Sequence, residues 1–180
     1  MTIEQHWLTE AYRIPSPNFD ERPEPSDLSL VVIHCISLPP EQFGNDYIDQ
    51  LFCNQLDPKA HPYFEGIYQL RVSAHLLIKR NGACTQYVPF DKRAWHAGLS
   101  SYQGRERCND FSIGIELEGI EHLPYTETQY QQLAQVIQCL LYTYPSLSKS
   151  HITGHSDIAP MRKTDPGASF DWQKLEQLLG

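Results

Sequence analysis

Apolar positions along the chain repeat with two periods, two and about 3.6, and the switch between them divides strands from helices. The run LSLVVIH, residues 28 to 34, is short, apolar and β-branched. That is the pattern of a strand buried on both faces, with His34 at its C-terminal end. Behind Gly44 and Asn45, residues 46 to 53 carry Tyr47, Ile48, Leu51 and Phe52 at helical spacing and predict a short helix. VSAHLLIK (72 to 79) and CTQYV (84 to 88) flank Asn81-Gly82, a dipeptide that tolerates the positive φ angles of a tight turn, so the two runs predict a β-hairpin. In FSIGIELEG, residues 111 to 119, Phe111, Ile113, Ile115 and Leu117 alternate with Ser112, Gly114, Glu116 and Glu118. The expectation is a half-buried strand whose Glu116 faces away from the apolar layer. Thr126 and Gln129 then form a capping-box pattern ahead of Tyr130, Leu133, Ala134, Val136, Ile137, Leu140 and Leu141, a long helix ending near Tyr144-Pro145. A last helix from about Asp171 carries Trp172, Leu175, Leu178 and Leu179 and stops at Gly180. Strands, a hairpin, another strand and then helices predict an α/β fold, a mixed central β-sheet flanked by helices.

A length of 180 residues suits a single domain spanning 1–180, and the proline-rich stretch from Pro15 to Pro25 makes residues 1–27 a mostly extended arm rather than a linker. With 41% hydrophobic and 20% charged residues, wholesale disorder is excluded. No apolar run is long enough to cross a bilayer, and MTIEQHWLTEAYRIPSP has neither a basic nor an apolar leader segment, so the expectation is a cytoplasmic protein without membrane contact. Five cysteines without a C-x-x-C pair read as reduced thiols. The net charge of −8 disfavours nucleic acid. Residues 71 to 107 nevertheless hold seven bases against two acids, a local +5 that leaves −13 elsewhere. A basic patch on an acidic body suits a small anionic ligand better than a polyanion, and no obligate protein partner is inferred. Ordinary solvated surface is the competing reading of the same bases.

Of eight histidines, His6, His61 and His122 stand in no pattern, whereas His34 ends a strand beside a sheet crevice, where α/β proteins place ligand sites. The second cluster, TGHSDIAPMRKTDPG at 153 to 167, sets His155, Lys163 and Asp165 in a loop bounded by Pro160 and Pro166. Two imidazoles and a carboxylate are the composition of an open catalytic zinc site, for which Glu116 is the available base and Lys163 the available cation. Spacing alone does not bring residues 34, 116 and 155 to 165 together, and scattered histidines beside a solvated lysine loop fit the pattern equally well.

The ordered runs VVIHCISLPPEQFG, RVSAHLLIKRNG, QYVPFDKRAWHAG, SYQGRERCNDFSIGIELEG and TGHSDIAPMRKTDPG closely resemble the AmpD-type 1,6-anhydro-N-acetylmuramyl-L-alanine amidases, from Trp7 to about Trp172. These are cytoplasmic zinc enzymes of peptidoglycan recycling, related to phage lysozyme-type amidases and peptidoglycan recognition proteins. The resemblance implies one Zn2+ held by His34, His155 and Asp165, Glu116 as base and Lys163 stabilising the transition state. It implies a muropeptide substrate, with Arg71 and Arg107 clamping stem-peptide carboxylates and Trp95 facing the anhydro sugar, although Trp95 reads equally well as core packing. Ala74, before His75, stands where some relatives have a catalytic tyrosine, so the base role falls to Glu116, with His75 a buried support. Cys35 follows the first zinc histidine where asparagine is common, which removes that side chain's hydrogen bonds and brings a thiol near the metal. Met161 likewise replaces a small or polar residue. A non-catalytic recognition module would have lost one of the five site residues, all of which are present. An endolysin acting on intact wall is disfavoured by the lack of a signal and a wall-binding segment.

Overall fold

Six strands form the central sheet of the computed structural model, which describes residues 1–180: β1 (Tyr12–Arg13), β2 (Leu30–Ile36), β3 (Leu76–Ile78), β4 (Cys84–Gln86), β5 (Ser112–Glu118) and β6 (Ile152–Gly154). Their order is β6-β2-β5-β3-β4-β1. β5 runs parallel to β2 and β3, and β6 runs parallel to β2. The hairpin β3–β4 is antiparallel and closes through Gly82 at φ +84°. The sheet is therefore mixed, as the pattern predicts. Four helices accompany it: α1 (Tyr47–Phe52), α2 (Glu127–Thr143), α3 (His155–Ile158) and α4 (Trp172–Leu179).

The period of two sorts the central strands. Val31, Ile33, Ile113, Ile115 and Leu117 join Leu133, Val136, Ile137 and Leu140 of α2 and Leu175 and Leu179 of α4 in one buried cluster. Each such side chain contributes about 1.5–3 kcal/mol by leaving water. α2 begins at the predicted capping box, with the Thr126 hydroxyl accepting from the Gln129 amide and the Gln129 side chain accepting from the Thr126 amide, worth about 1 kcal/mol. Asp171 caps α4 by accepting from the Lys174 amide at 2.9 Å.

The other face is not open to solvent. Leu30 and Val32 pack under Ala97, Cys108, Phe111 and Ile158, and Leu77 packs with α1, Phe64 and Tyr87. Every residue of β5 is buried, which corrects the half-buried expectation. Alternation of polar with apolar side chains reports two faces, but not whether the polar one is roofed. Here Ser112 and Glu118 have partners in the roof. Ser112 donates to the Cys108 carbonyl at 2.5 Å, and the Glu118 carboxylate accepts from the amides of Gly44 at 2.6 Å and Arg80 at 3.0 Å. Gly114 makes room, because a Cβ there would lie 2.4 Å from Cγ of His96.

Residues 1–27 run as short pieces bonded to this body. β1 forms the sheet edge, and Phe19–Glu21 pairs antiparallel with Lys92–Ala94. Ser16 Oγ donates to the Phe52 carbonyl at 2.5 Å, and Asn18 Nδ2 donates to the Val72 carbonyl at 2.8 Å. The same arm neutralises the basic stretch. Lys92 pairs with Glu21 at 2.9 Å, Arg93 with Asp20 at 2.5 Å and Asp110 at 2.6 Å, and Arg105 with Asp27. Lys79 meets Asp49 at 3.7 Å and Arg107 meets Asp110 at 3.2 Å. Five of the seven bases thus have acidic partners, so the local +5 is no free basic patch; the sequence window omits the acids that fold against it. No helix is long and apolar enough to cross a membrane.

Candidate metal centre

Strand register assembles the centre. β2 and β5 pair so that His34 lies beside Glu116, both on the face that carries Leu30 and Val32. The strand continues two residues past His34, to Ile36, so the histidine sits within the strand rather than at its end. β6 pairs Gly154 with Ile33 and hands His155 to the first turn of α3. The loop beyond α3 folds back, with the Ser156 amide donating to the Asp165 carbonyl at 2.9 Å, and this brings the Asp165 carboxylate to the two imidazoles. His34 Nδ1 lies 2.9 Å from His155 Nδ1 and 3.2 Å from Asp165 Oδ2, and His155 Nδ1 lies 3.1 Å from the same oxygen. Spacing left the meeting of these residues open, and here they form a buried triangle of two nitrogens and one oxygen.

The triangle fits a zinc ion. Ligands about 2.0–2.1 Å from a tetrahedral centre stand about 3.3–3.4 Å apart, close to the edges observed. Burial, above all, lowers the pKa of His34 to about 4, which keeps the ring neutral with a lone pair to give. Burial pushes the Asp165 carboxyl up, but the close His155 and His34 rings outweigh it and hold the group below the usual carboxylate range. Glu116 is raised well above that range by burial and then by the Asp165 charge, with Lys163 pulling the other way. Its Oε2 is buried without a hydrogen-bond partner. Cys35 packs against the helix-side core and is not part of the triangle, and burial raises its thiol to about 12. A one-residue step along a strand reverses the face, which is why adjacency to His34 in sequence does not bring the thiol to the metal.

A cleft of about 510 Å³ opens over the centre, and its lining includes the apolar Leu38, Leu51, Tyr63, Ile67, Leu70 and Trp95 together with Glu116, Glu121 and Lys163. Trp95 lines the cleft, and its Nε1 donates to Asp20 at 3.2 Å. Arg71 and Arg107 stand outside the lining. The Arg71 guanidinium donates to the carbonyls of Gln69 and Leu70, and Arg107 is exposed on Asp110. Ala74 is core. His75 is fully buried, accepting from the Gly114 amide at 3.0 Å and donating to the Lys92 carbonyl at 3.0 Å, one layer away from the triangle. Sequence inspection passes over His96, whose Nδ1 lies 2.9 Å from His34 Nε2. Its one available signal is Gly114, a glycine inside a strand, which marks the close approach of another group.

The model of the N-acetylmuramoyl-L-alanine amidase family matches residues 24–168. The 1,6-anhydro-N-acetylmuramyl-L-alanine amidase AmpD of Citrobacter freundii is 61% identical over 99% of this chain and 95% of its own. A crystal structure of a selenomethionine AmpD derivative superposes with a TM-score of 0.97 at 60% identity, covering 100% of both chains. The Escherichia coli amidase AmiD, solved with anhydro-N-acetylmuramic acid-L-Ala-D-gamma-Glu-L-Lys, superposes with a TM-score of 0.60 at 29% identity, over 96% of this chain and 60% of that one. With that fold and that triangle, the chain belongs to the N-acetylmuramoyl-L-alanine amidase family, in its AmpD-type branch.

Proposed function

We propose that this chain is a zinc amidase that hydrolyses the amide between the lactyl carbonyl of 1,6-anhydro-N-acetylmuramic acid and the L-alanine of a stem peptide, in peptidoglycan recycling. The observation that carries the reading is the buried triangle of His34, His155 and Asp165 beside the unpartnered Glu116 carboxylate, at the floor of a cleft large enough for a sugar and a short peptide. The relatives' names and the muropeptide held by AmiD support the same substrate class.

His34, His155 and Asp165 would hold the zinc with the atoms that form the triangle. When bound, the ion supplies Lewis acidity, polarising the scissile carbonyl and lowering the pKa of a water. Glu116 takes a proton from the attacking water on Oε2 and returns it to the departing alanine nitrogen, a task suited to a carboxyl whose pKa burial raises well above the ordinary carboxylate range. Lys163, in the lining of the same cleft, neutralises the oxyanion that develops on the carbonyl oxygen. The apolar wall with Trp95 receives the anhydro sugar and keeps water from the rest of the cleft. Arg71 and Arg107, beyond the lining, serve stem carboxylates that extend past it. Soluble anhydro-muropeptides are fragments met in the cytoplasm, which is where this reading places the protein.

The test is kcat/KM for a matched pair of muropeptides, anhydro and hydrated at the sugar, with intact sacculi as a third substrate. Preference for the anhydro form and little release from sacculi is expected. Equal rates on the pair would reject the recycling role and favour an endolysin, and binding without cleavage would leave a recognition module.

A further inference from the structure

The outer nitrogens of both imidazoles end on one short segment, Trp95 to Ala97. His155 Nε2 lies 3.2 Å from the Ala97 carbonyl. A carbonyl only accepts, so Nε2 carries the proton and Nδ1 keeps its lone pair. His34 reaches the same state through a longer chain. Ser112 Oγ stands 2.5 Å from the Cys108 carbonyl and must donate its single proton there, so toward His96 Nε2, 3.1 Å away, it only accepts. His96 Nε2 therefore holds that ring's proton, and His96 Nδ1 accepts from His34 Nε2 at 2.9 Å. The direction set by one backbone carbonyl thus passes through a serine and a histidine, and it leaves His34 Nδ1 bare on the side of His155 and Asp165.

The segment that supplies these partners is itself fixed. Asn109 Oδ1 accepts from the amides of both His96 at 3.1 Å and Ala97 at 2.8 Å, and Ser73 Oγ accepts from the Trp95 amide at 3.1 Å. The His96 ring lies over Gly114, where any Cβ would collide with it.

We propose that His96 is a positioning residue for the metal, which with Ser112 holds His34 in the tautomer and ring orientation that presents Nδ1, while the Ala97 carbonyl does the same for His155. The proposal rests on the metal-centre reading above and assigns the residues that organise that centre before the ion arrives. Outer hydrogen-bond partners of ligating histidines typically govern metal affinity by 10- to 100-fold, about the effect expected here.

The test is the zinc dissociation constant, measured by competition with a chromophoric chelator, for wild type, His96→Leu, His96→Asn and Ser112→Ala. Thermal unfolding of each metal-free form runs alongside. Leucine cannot accept from His34, and a loss of about 10- to 100-fold is expected. Asparagine places an amide oxygen near the position of Nδ1 and is expected to restore most of the affinity, which a purely space-filling role would not do. Ser112→Ala frees the His96 tautomer without touching the ring and is expected to give a smaller loss. If the leucine variant fails to fold, the asparagine and alanine variants decide, together with 15N spectra of the metal-free wild type, in which His34 is expected to carry its proton on Nε2. Unchanged zinc affinity in folded His96→Leu, no recovery in His96→Asn, or a proton on His34 Nδ1 would overturn the proposal. Absence of zinc binding in the wild type would reject the metal centre itself, a result distinct from all three.

Discussion

The floor and the wall of the cleft are built on different terms. The floor consists of polar groups on adjacent parallel strands and the loop after α3. His34 and Asp165 are 1% and 9% exposed, and the outer nitrogens of the two histidines are held by the His96 ring and the Ala97 carbonyl. The wall is apolar and carried by connections: Tyr63 is 46% and Leu70 47% exposed, and Trp95 meets the arm through Asp20. A floor of that kind fixes charge and geometry in advance, which favours chemistry. A wall with large exposed apolar side chains gains by being covered, which favours substrate binding. Changes in the floor are accordingly expected to act on metal retention and kcat, and changes in the wall on KM and selectivity.

The largest effect is expected from Asp165→Ala. Two imidazoles alone do not close the triangle, so stoichiometric zinc and measurable turnover should both disappear. An Asp165→Ala protein that retains zinc through dialysis would break the assignment of the floor. Next come Glu116→Ala and Lys163→Ala, each expected to keep zinc and to lower kcat by about 10² or more with KM little changed. Steady-state kinetics with metal analysis of the same samples checks both. A change confined to KM would move that residue from the floor to the wall.

Stability sharpens the comparison further. Glu116 is buried with its pKa raised in the folded state, so folding takes up a proton between the ordinary carboxylate range and the raised value. The Glu116 contribution to the stability of the metal-free protein should therefore be fully present below that range and be lost as pH rises through the raised value, opposite in sign to the contributions of His34 and Asp165. Glu116→Gln should remove that slope, as urea unfolding at a series of pH values would show. The wall gives the smallest effects. Trp95→Ala should raise KM and narrow the preference for the anhydro sugar, while Arg71→Ala and Arg107→Ala, at exposed sites outside the lining, should weaken anhydro and hydrated substrates equally, by no more than about fivefold. An unchanged preference in the Trp95 variant would return that residue to simple packing against Asp20.

The same division governs how much was legible in the sequence. The capping box at Thr126, the Asn81-Gly82 turn and the alternation in 111 to 119 are local signals, and local hydrogen bonds and side-chain period realise each of them. His34 and Glu116 are readable as candidates because a polar residue in an apolar strand is conspicuous, and register then sets them side by side. The convergence of Asp165 on them was not readable from pattern, since it depends on a loop fold-back made by backbone hydrogen bonds. Family resemblance alone supplied it. Nor was the neutralisation of the basic stretch, whose partners Asp20, Glu21 and Asp27 lie about seventy residues earlier in the chain and meet it only when the arm folds back, Asp20 and Glu21 through strand pairing. His96 escaped because a loop histidine has no period to betray it. Its imprint is on another element, in the missing side chain of Gly114.

One ion at the triangle acting with the Glu116 carboxylate is tested most directly by reconstitution. Protein stripped of metal by chelation is titrated with zinc while hydrolysis of a soluble anhydro-muropeptide is followed. Turnover is expected to be absent at the start, to rise in proportion to zinc and to level off at one ion per chain in wild type, with no rise in Asp165→Ala. Full turnover in the stripped protein, or a plateau unrelated to one ion per chain, would contradict it.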